Sequence, residues 1–210
     1  MMTGWKMTKL PNKVFIDSNM IIFAARFQKA NIFQWINRIY DNIYIHVGVY
    51  YEILDPGIRK KVDEEVNVGN WHIFDPRTLS SAEQAIYKER MKDVGNAFGE
   101  MNNQRIEDDK PIKTVSNIGE IATITACMMI GARIICSNDF DIRTVVEQED
   151  YRILVDDEDV LIVQDSAEDF CVLCYQDNPS DRSIIRKFYK SIIAEAHDRK
   201  IKLAKLDSRL

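Results

Sequence analysis

Five acidic residues stand where apolar runs of the chain give out: Asp17 after KVFI, Glu52 in VYYEIL, Glu120 in SNIGEIATITA, and Asp139 with Asp141 in RIICSNDFDI. A carboxylate at the end of a buried strand costs desolvation energy unless something neutralises it. In an open α/β sheet, the carboxyl ends of the strands face the crevice where ligands bind. Acids converging there without basic partners would repel one another. A hard divalent cation is the natural counter-charge, because Mg2+ and Mn2+ prefer carboxylate and water oxygens. The residue types and their placement therefore point to metal-assisted hydrolysis of a phosphodiester.

Each acid also has an ordinary explanation. Asp17, followed by Ser18 and Asn19, is placed equally well to cap a helix. Glu120 lies in the first turn of a nearly all-apolar helix, where a negative charge complements the dipole. Ser137 and Asn138 precede Asp139 much as Ser18 and Asn19 follow Asp17, and Asp141 is also placed to cap the next helix. Glu52 on a half-exposed helix needs no special account. It is the set and its order that carry the chemistry.

The elements that must position these residues alternate along the chain. KVFID reads as a first strand after Pro11 and Asn12, and helices follow over MIIFAARF, capped by Ser18 or Asn19, and over IFQWINRIY. NIYIHV is a second strand running into a helix, VYYEILD, that Pro56 and Gly57 close or restart. A polar helix near Ile58–Val66 leads to the short apolar piece WHIFDP, and a long helix is expected from Ser80 to about Gln104. The segment NNQRIEDDKPIKTVSN reads as a loop, GEIATITACMMIGA as a helix buried on most sides, and RIICS as a strand before the helix IRTVVEQE. Beyond it, ILV, an acidic turn and VLIVQ suggest edge strands or a hairpin. SAEDFCVLCYQ is helical with Ser166 as cap and Asp169 three residues on, and one last helix starts at Ser180. Alternating strands and helices predict an α/β fold with a mainly parallel sheet.

The remaining features mostly exclude. The 210 residues suit one elaborated domain, with 46% hydrophobic and 29% charged residues. No apolar run reaches the roughly 18 residues of a membrane span, and the start lacks the apolar stretch of a secretory signal, so the cytoplasm is the expected location. Cys127 and Cys136 read as core fillers, and Cys171 and Cys174 share one helix face without the second ligand pair that a zinc ribbon needs. His46, His72 and His197 are scattered. There is no GxGxxG or P-loop for a nucleotide, and VLIVQDS offers no lysine for a phosphoacceptor site. The net charge of −5 splits unevenly. From Arg182 to Leu210 there are nine Lys/Arg against three Asp/Glu, a net of +6 that leaves −11 on the rest. Arg186, Lys187 and Lys190 fall opposite the apolar face of Ile184, Ile185, Phe188 and Ile192 and are candidate contacts to a phosphate backbone. A solvated helix face accounts for them equally well.

The blocks VFIDSNMII, VYYEIL and NIGEIATITACMMIGARIICSND, in this order over about residues 13 to 150, resemble the PIN domain family, the nuclease domain of VapC-type toxins and of RNA-processing enzymes. The resemblance implies a three-layer α/β/α sandwich with a central mainly parallel sheet, a nuclease domain over residues 1–154, and a C-terminal extension, an edge strand and helices over 155–210, packed on it. It implies an endoribonuclease that uses Mg2+ or Mn2+. Carried over by position, Asp17, Glu52, Glu120 and Asp139 match the acidic quartet. Asp17, Glu120, Asp139 and Asp141 are the metal-binding candidates, with Ser18, Asn19, Ser137 and Asn138 in support. RNA is the expected substrate, and an antitoxin protein and a second copy of the chain are the expected partners. The third acid is Glu where the family more often has Asp, and no family motif extends past about Leu154. A catalytically inactive module that keeps the fold for RNA binding or scaffolding is the alternative.

Overall fold

The computed structural model describes residues 13–111 and 117–210. The punctuation expected at Pro11 and Asn12, and residues 112–116 of the polar segment before Glu120, lie outside them.

Five parallel strands form the central sheet: β1 (Val14–Ile16), β2 (Ile43–His46), β3 (Trp71–Phe74), β4 (Ile134–Cys136) and β7 (Val163–Asp165), in the order β3-β2-β1-β4-β7. β1 is central because both its faces are buried: Val14 and Ile16 enter one core and Phe15 the other. A strand covered on both sides has no need of polar alternation, which is why VFI reads as an unbroken apolar run.

Helices cover both faces. On the Val14/Ile16 side pack α1 (Ser18–Arg26), α2 (Ile32–Ile39), α4 (Pro56–Asn67), α8 (Ala167–Asp177), α9 (Arg182–Ile192) and α10 (Asp198–Asp207), with Phe188 meeting the rings of Phe27, Trp35 and Phe170. On the Phe15 side lie α5 (Ser81–Glu107), α6 (Ile118–Ile130) and α7 (Asp141–Glu149). The expected α/β/α arrangement is what the chain adopts. The short α3 (Val47–Glu52) leaves the end of β2 with His46 as its cap. Among the described residues, no helix is long and apolar enough to cross a membrane.

The structure also departs from the sequence reading. α5 continues to Glu107, so residues 102–107 are helix rather than loop. Buried Met101 anchors that turn on the core, and Arg105 is tied to Asp141. The single last helix is two, because the chain turns at Ile193, extended and buried, before α10. β5 (Arg152–Val155) and β6 (Glu158–Leu161) form an antiparallel hairpin outside the main sheet. Its turn is Asp156–Asp157, both at positive φ (50° and 65°), the geometry that suits a two-residue hairpin loop. The boundary expected at residue 154 thus falls within the hairpin, and β7, from beyond it, is an edge strand of the central sheet.

Candidate functional site

The strand order reverses between β1 and β4: the chain runs outward from β1 through β2 and β3, then returns to place β4 and β7 on the other side of β1, and crevices of α/β sheets open at such points. Asp17 follows β1 directly. Its backbone N–H still pairs with Cys136 O of β4 at 3.1 Å, so the residue is fixed by the sheet itself. Its side chain caps α1, accepting from Ser18 N at 2.7 Å. This corrects the expectation that Ser18 or Asn19 is the cap, and it does not remove Asp17 from the crevice. The other oxygen accepts from Asn19 Nδ2 at 2.5 Å and from Ser137 Oγ at 2.8 Å. Asn19 also receives Asn138 N–H on its Oδ1 at 3.1 Å and reaches Ser137 Oγ with its Nδ2 at 3.2 Å. The turn after β1 is therefore stitched to the turn after β4 by the polar residues that flank the two acids.

Asp139 follows in the β4 turn, its N–H donating to Ser137 Oγ at 3.1 Å. Glu120, in the first turn of α6, hydrogen-bonds with Asp139. Glu52, the last residue of α3, accepts from Ser18 Oγ at 3.1 Å. A methyl group at Gly119 would lie 2.7 Å from Glu52 Oε1, so the missing side chain is what lets this carboxylate approach the start of α6. That helix end favours negative charge. Four acids from four segments are thus brought to one place.

Burial is the first cause of the shifts at Asp17, Glu52 and Glu120. Desolvation raises the pKa of Asp17, hydrogen bonds from Ser137 and Ser18 oppose it, and the Asp139 charge adds to it. Glu120 is pushed up to about 8, by burial first, then by its bond to Asp139 and the charges of Asp139 and Asp17. Two carboxyl groups in direct contact hold one proton between them unless a cation takes its place. Glu52 is raised by partial burial and by Asp17.

Asp141 stands apart from this set. It is buried in the first turn of α7 and bound by Arg105 of α5 through both of its oxygens. The sequence reading missed that arginine, since the polar segment around it looked like a loop. It also missed Gln164 of β7, whose Nε2 donates to Ser137 O at 2.7 Å and Asp139 O at 2.8 Å and so fixes the β4 turn. A glutamine inside VLIVQ was the available signal, as an amide in a buried strand must find partners. Arg186, Lys187 and Lys190 are all exposed on α9, and Arg186 is held by Asp207 of α10 at 2.9 Å.

As a donor set, Asp17, Glu52, Glu120 and Asp139 suit a hard cation, since every ligand atom is a carboxylate oxygen and the adjoining groups are hydroxyls and amides. As placed, however, no group of three or more His, Cys, Asp or Glu side chains among the described residues is arranged to hold a metal ion.

No family model matches the chain, and no curated protein does. Among solved structures it is similar to a chain of VapBC2 from Rickettsia felis, a complex bound to a DNA fragment from its promoter. The TM-score is 0.39 at 10% identity, over 73% of this chain and 97% of that one.

Proposed function

We propose that this protein is a metal-dependent endoribonuclease of the PIN type. One observation carries the reading: Asp17, Glu52, Glu120 and Asp139 gather at the switch point of the sheet, with Asp17 and Glu52 held by hydroxyl and amide groups. In it, Asp17, Glu120 and Asp139 hold Mg2+ or Mn2+, and Glu52 completes the set or orients water. When bound, the cation supplies an activated water and stabilises charge on the phosphate and the leaving oxygen. The rest falls to the chain. Ser137 and Asn19 fix the Asp17 carboxylate, Gln164 fixes the turn bearing Asp139, and Ser18 holds Glu52 beside the cleft. Small turns of the Glu52 and Glu120 side chains, the longest and most adjustable of the set, would complete the ligand group. Residence in the cytoplasm, pairing with an antitoxin and self-association belong to the same proposal, and the neighbouring gene is the first place to look for the antitoxin.

A second reading, a non-catalytic RNA-binding or scaffolding module, is favoured by the direct Glu120–Asp139 contact and by the lack of a ready ligand group among the described residues. Incubating the protein with RNA and Mn2+ separates the two. Metal-dependent cleavage that vanishes in Asp139→Asn supports the nuclease; RNA binding without cleavage in any divalent cation supports the module.

A further inference from the structure

The C-terminal helix and the turn after β4 lie at two ends of one run of hydrogen bonds, and Arg143 of α7 is its middle. Gln164, buried in β7, uses both donors and its acceptor: Nε2 donates to Ser137 O at 2.7 Å and to Asp139 O at 2.8 Å, and Oε1 accepts from Arg143 N at 3.0 Å. Arg143 Nη2 reaches the Gln164 carbonyl at 2.8 Å and Asp169 Oδ2 at 3.2 Å. Asp169 Oδ1 accepts from Arg209 Nη2 at 2.8 Å, and Arg209 Nη1 meets Glu168 Oε1 at 2.5 Å, just beyond the end of α10. Local needs explain each link. Val163 N and Asp165 O pair with β4, so the Gln164 carbonyl points out from the sheet edge, where a guanidinium supplies the donor that a further strand would. Ser166 donates to Asp169 Oδ2 from both N and Oγ, the capping box of α8, which fixes that carboxylate between the two arginines.

We infer that Arg143 is a positioning residue that joins the docking of α10 to the turn between β4 and α7. The turn has other ties as well, among them Asn138 N to Asn19 Oδ1 and Asp139 N to Ser137 Oγ, so the joint tightens it rather than forms it. The side chains of Arg143, Asp169 and Arg209 are 41%, 24% and 37% exposed, and contacts so open to water can be made and broken while the core stays folded. A contact that holds or lifts α10 therefore acts on the site turn from a distance. By linkage, whatever stiffens the turn tightens α10. The inference goes beyond the function proposed above and is independent of it, because the turn is the same whether the site cleaves RNA, binds it or does neither.

Amide hydrogen exchange read by NMR in chelator tests this without metal, RNA or activity, with thermal melts to show that each variant is folded. Arg209→Gln is expected to speed exchange in α10 and, by about threefold, at the amides of Asn138, Asp139 and Asp141, with Phe15 and Ile135 in the sheet unmoved. Arg143→Gln should speed the same three amides at least as much. In the Arg143→Gln background, Arg209→Gln should still loosen α10 but add nothing at the turn, since the joint is already open. A general loss of stability moves all sites alike and does not give this pattern. Turn amides that keep their wild-type rates while α10 loosens overturn the inference. So does an Arg209→Gln effect at the turn that is undiminished in the Arg143→Gln background. Should Arg209→Gln leave α10 at its wild-type rates, Lys205→Gln is added to take the second cation from Glu168. An α10 that still does not loosen overturns the inference, because its docking is then not adjustable at this clasp. If Arg143→Gln does not fold, Asp169→Asn replaces it, keeping the shape of the α8 cap and removing the charge between the arginines. That variant must loosen the turn and α10 together, or the inference falls.

Discussion

Two groups of buried or half-buried acids lie along the same edge of the sheet, and they are solved in opposite ways. At the start of α8, Glu168 is held by Arg209 and Lys205, and Asp169 by Arg209 and Arg143. Burial pushes the Asp169 carboxyl up, but hydrogen bonds from Ser166 and Arg209 outweigh it and leave its pKa below the usual value. At the ends of β1 and β4, Asp17 is met by hydroxyl and amide donors, and burial wins. The first group fastens α10 to the body of the protein. The second keeps carboxylates close together at a cost in free energy, the arrangement on which the proposed metal site rests. The partners differ at the two residues compared: cations meet Asp169, and neutral hydroxyl and amide donors meet Asp17.

The largest effect expected from breaking this contrast is on chemistry. Asp17→Asn or Asp139→Asn keeps side-chain shape and removes one charge, and RNA cleavage with Mn2+ should fall by at least about a hundredfold. Circular dichroism should show an intact fold. Cleavage by Asp139→Asn at the wild-type rate would remove that acid from the site. On the clasp the effect should be stability instead. Glu168→Gln leaves Arg209 and Lys205 without their buried partner and should cost roughly 2 kcal/mol, below the usual figure for a buried pair because both cations reach water. For a chain of this length, that lowers the melting temperature by roughly 5 °C. A Glu168→Gln protein that melts like wild type but cleaves poorly would invert the assignment of the two groups.

Dependence on pH sharpens the same contrast. Glu120 keeps its proton up to about pH 8 in the folded protein and releases it near 4.5 when unfolded. Between those values the native state binds more protons, so in chelator this contribution to stability is present at low pH and is lost as pH rises through about 8. Asp17 and Glu52 act in the same direction. Asp169 acts oppositely: its contribution is present above the ordinary aspartate value and is lost only in stronger acid. In chelator, the melting temperature should therefore fall from pH 5 to pH 8.5, and Glu120→Gln should flatten that slope. A profile that rises over this range, or a slope that the substitution leaves untouched, would deny Glu120 its place in the cluster.

How much of this could be read in the chain depended on range. VFI, the helix after Gly119 and IIC declared themselves because both faces of the sheet are buried, and the small polar residues beside Asp17 and Asp139 marked the turns where the strands end. Ser166 and Asp169 announced the capping box that starts α8, since that motif closes within three residues. What escaped was set by partners far along the chain. Arg105 and Asp141 are 36 residues apart and Arg209 and Glu168 are 41 apart, distances over which no local pattern speaks. Asp17 as both helix cap and crevice acid shows another limit, because one side chain has two oxygens and the sequence reading set the two roles against each other.

The smallest expected effect concerns the cations that neither acid group uses. Arg186 is bound to Asp207, so its removal loosens α9 from α10 and says little about RNA. Lys187 and Lys190 are exposed on the same helix and are the better probes. If they meet the phosphate backbone, changing both to Gln should weaken RNA binding similarly for every sequence and reduce the salt slope by about 0.7 per lost contact. Binding of one RNA measured at several salt concentrations reads this directly. A catalytically silent background, Asp139→Asn, keeps the RNA intact while the affinity is measured. An unchanged slope would leave Lys187 and Lys190 as a solvated helix face and move the backbone contacts elsewhere. The result bears on the comparison as well. A slope that falls would place a working cation surface on the same C-terminal segment that the Arg209 clasp fastens, so Glu168→Gln should then weaken RNA binding too, through the looser docking of that segment.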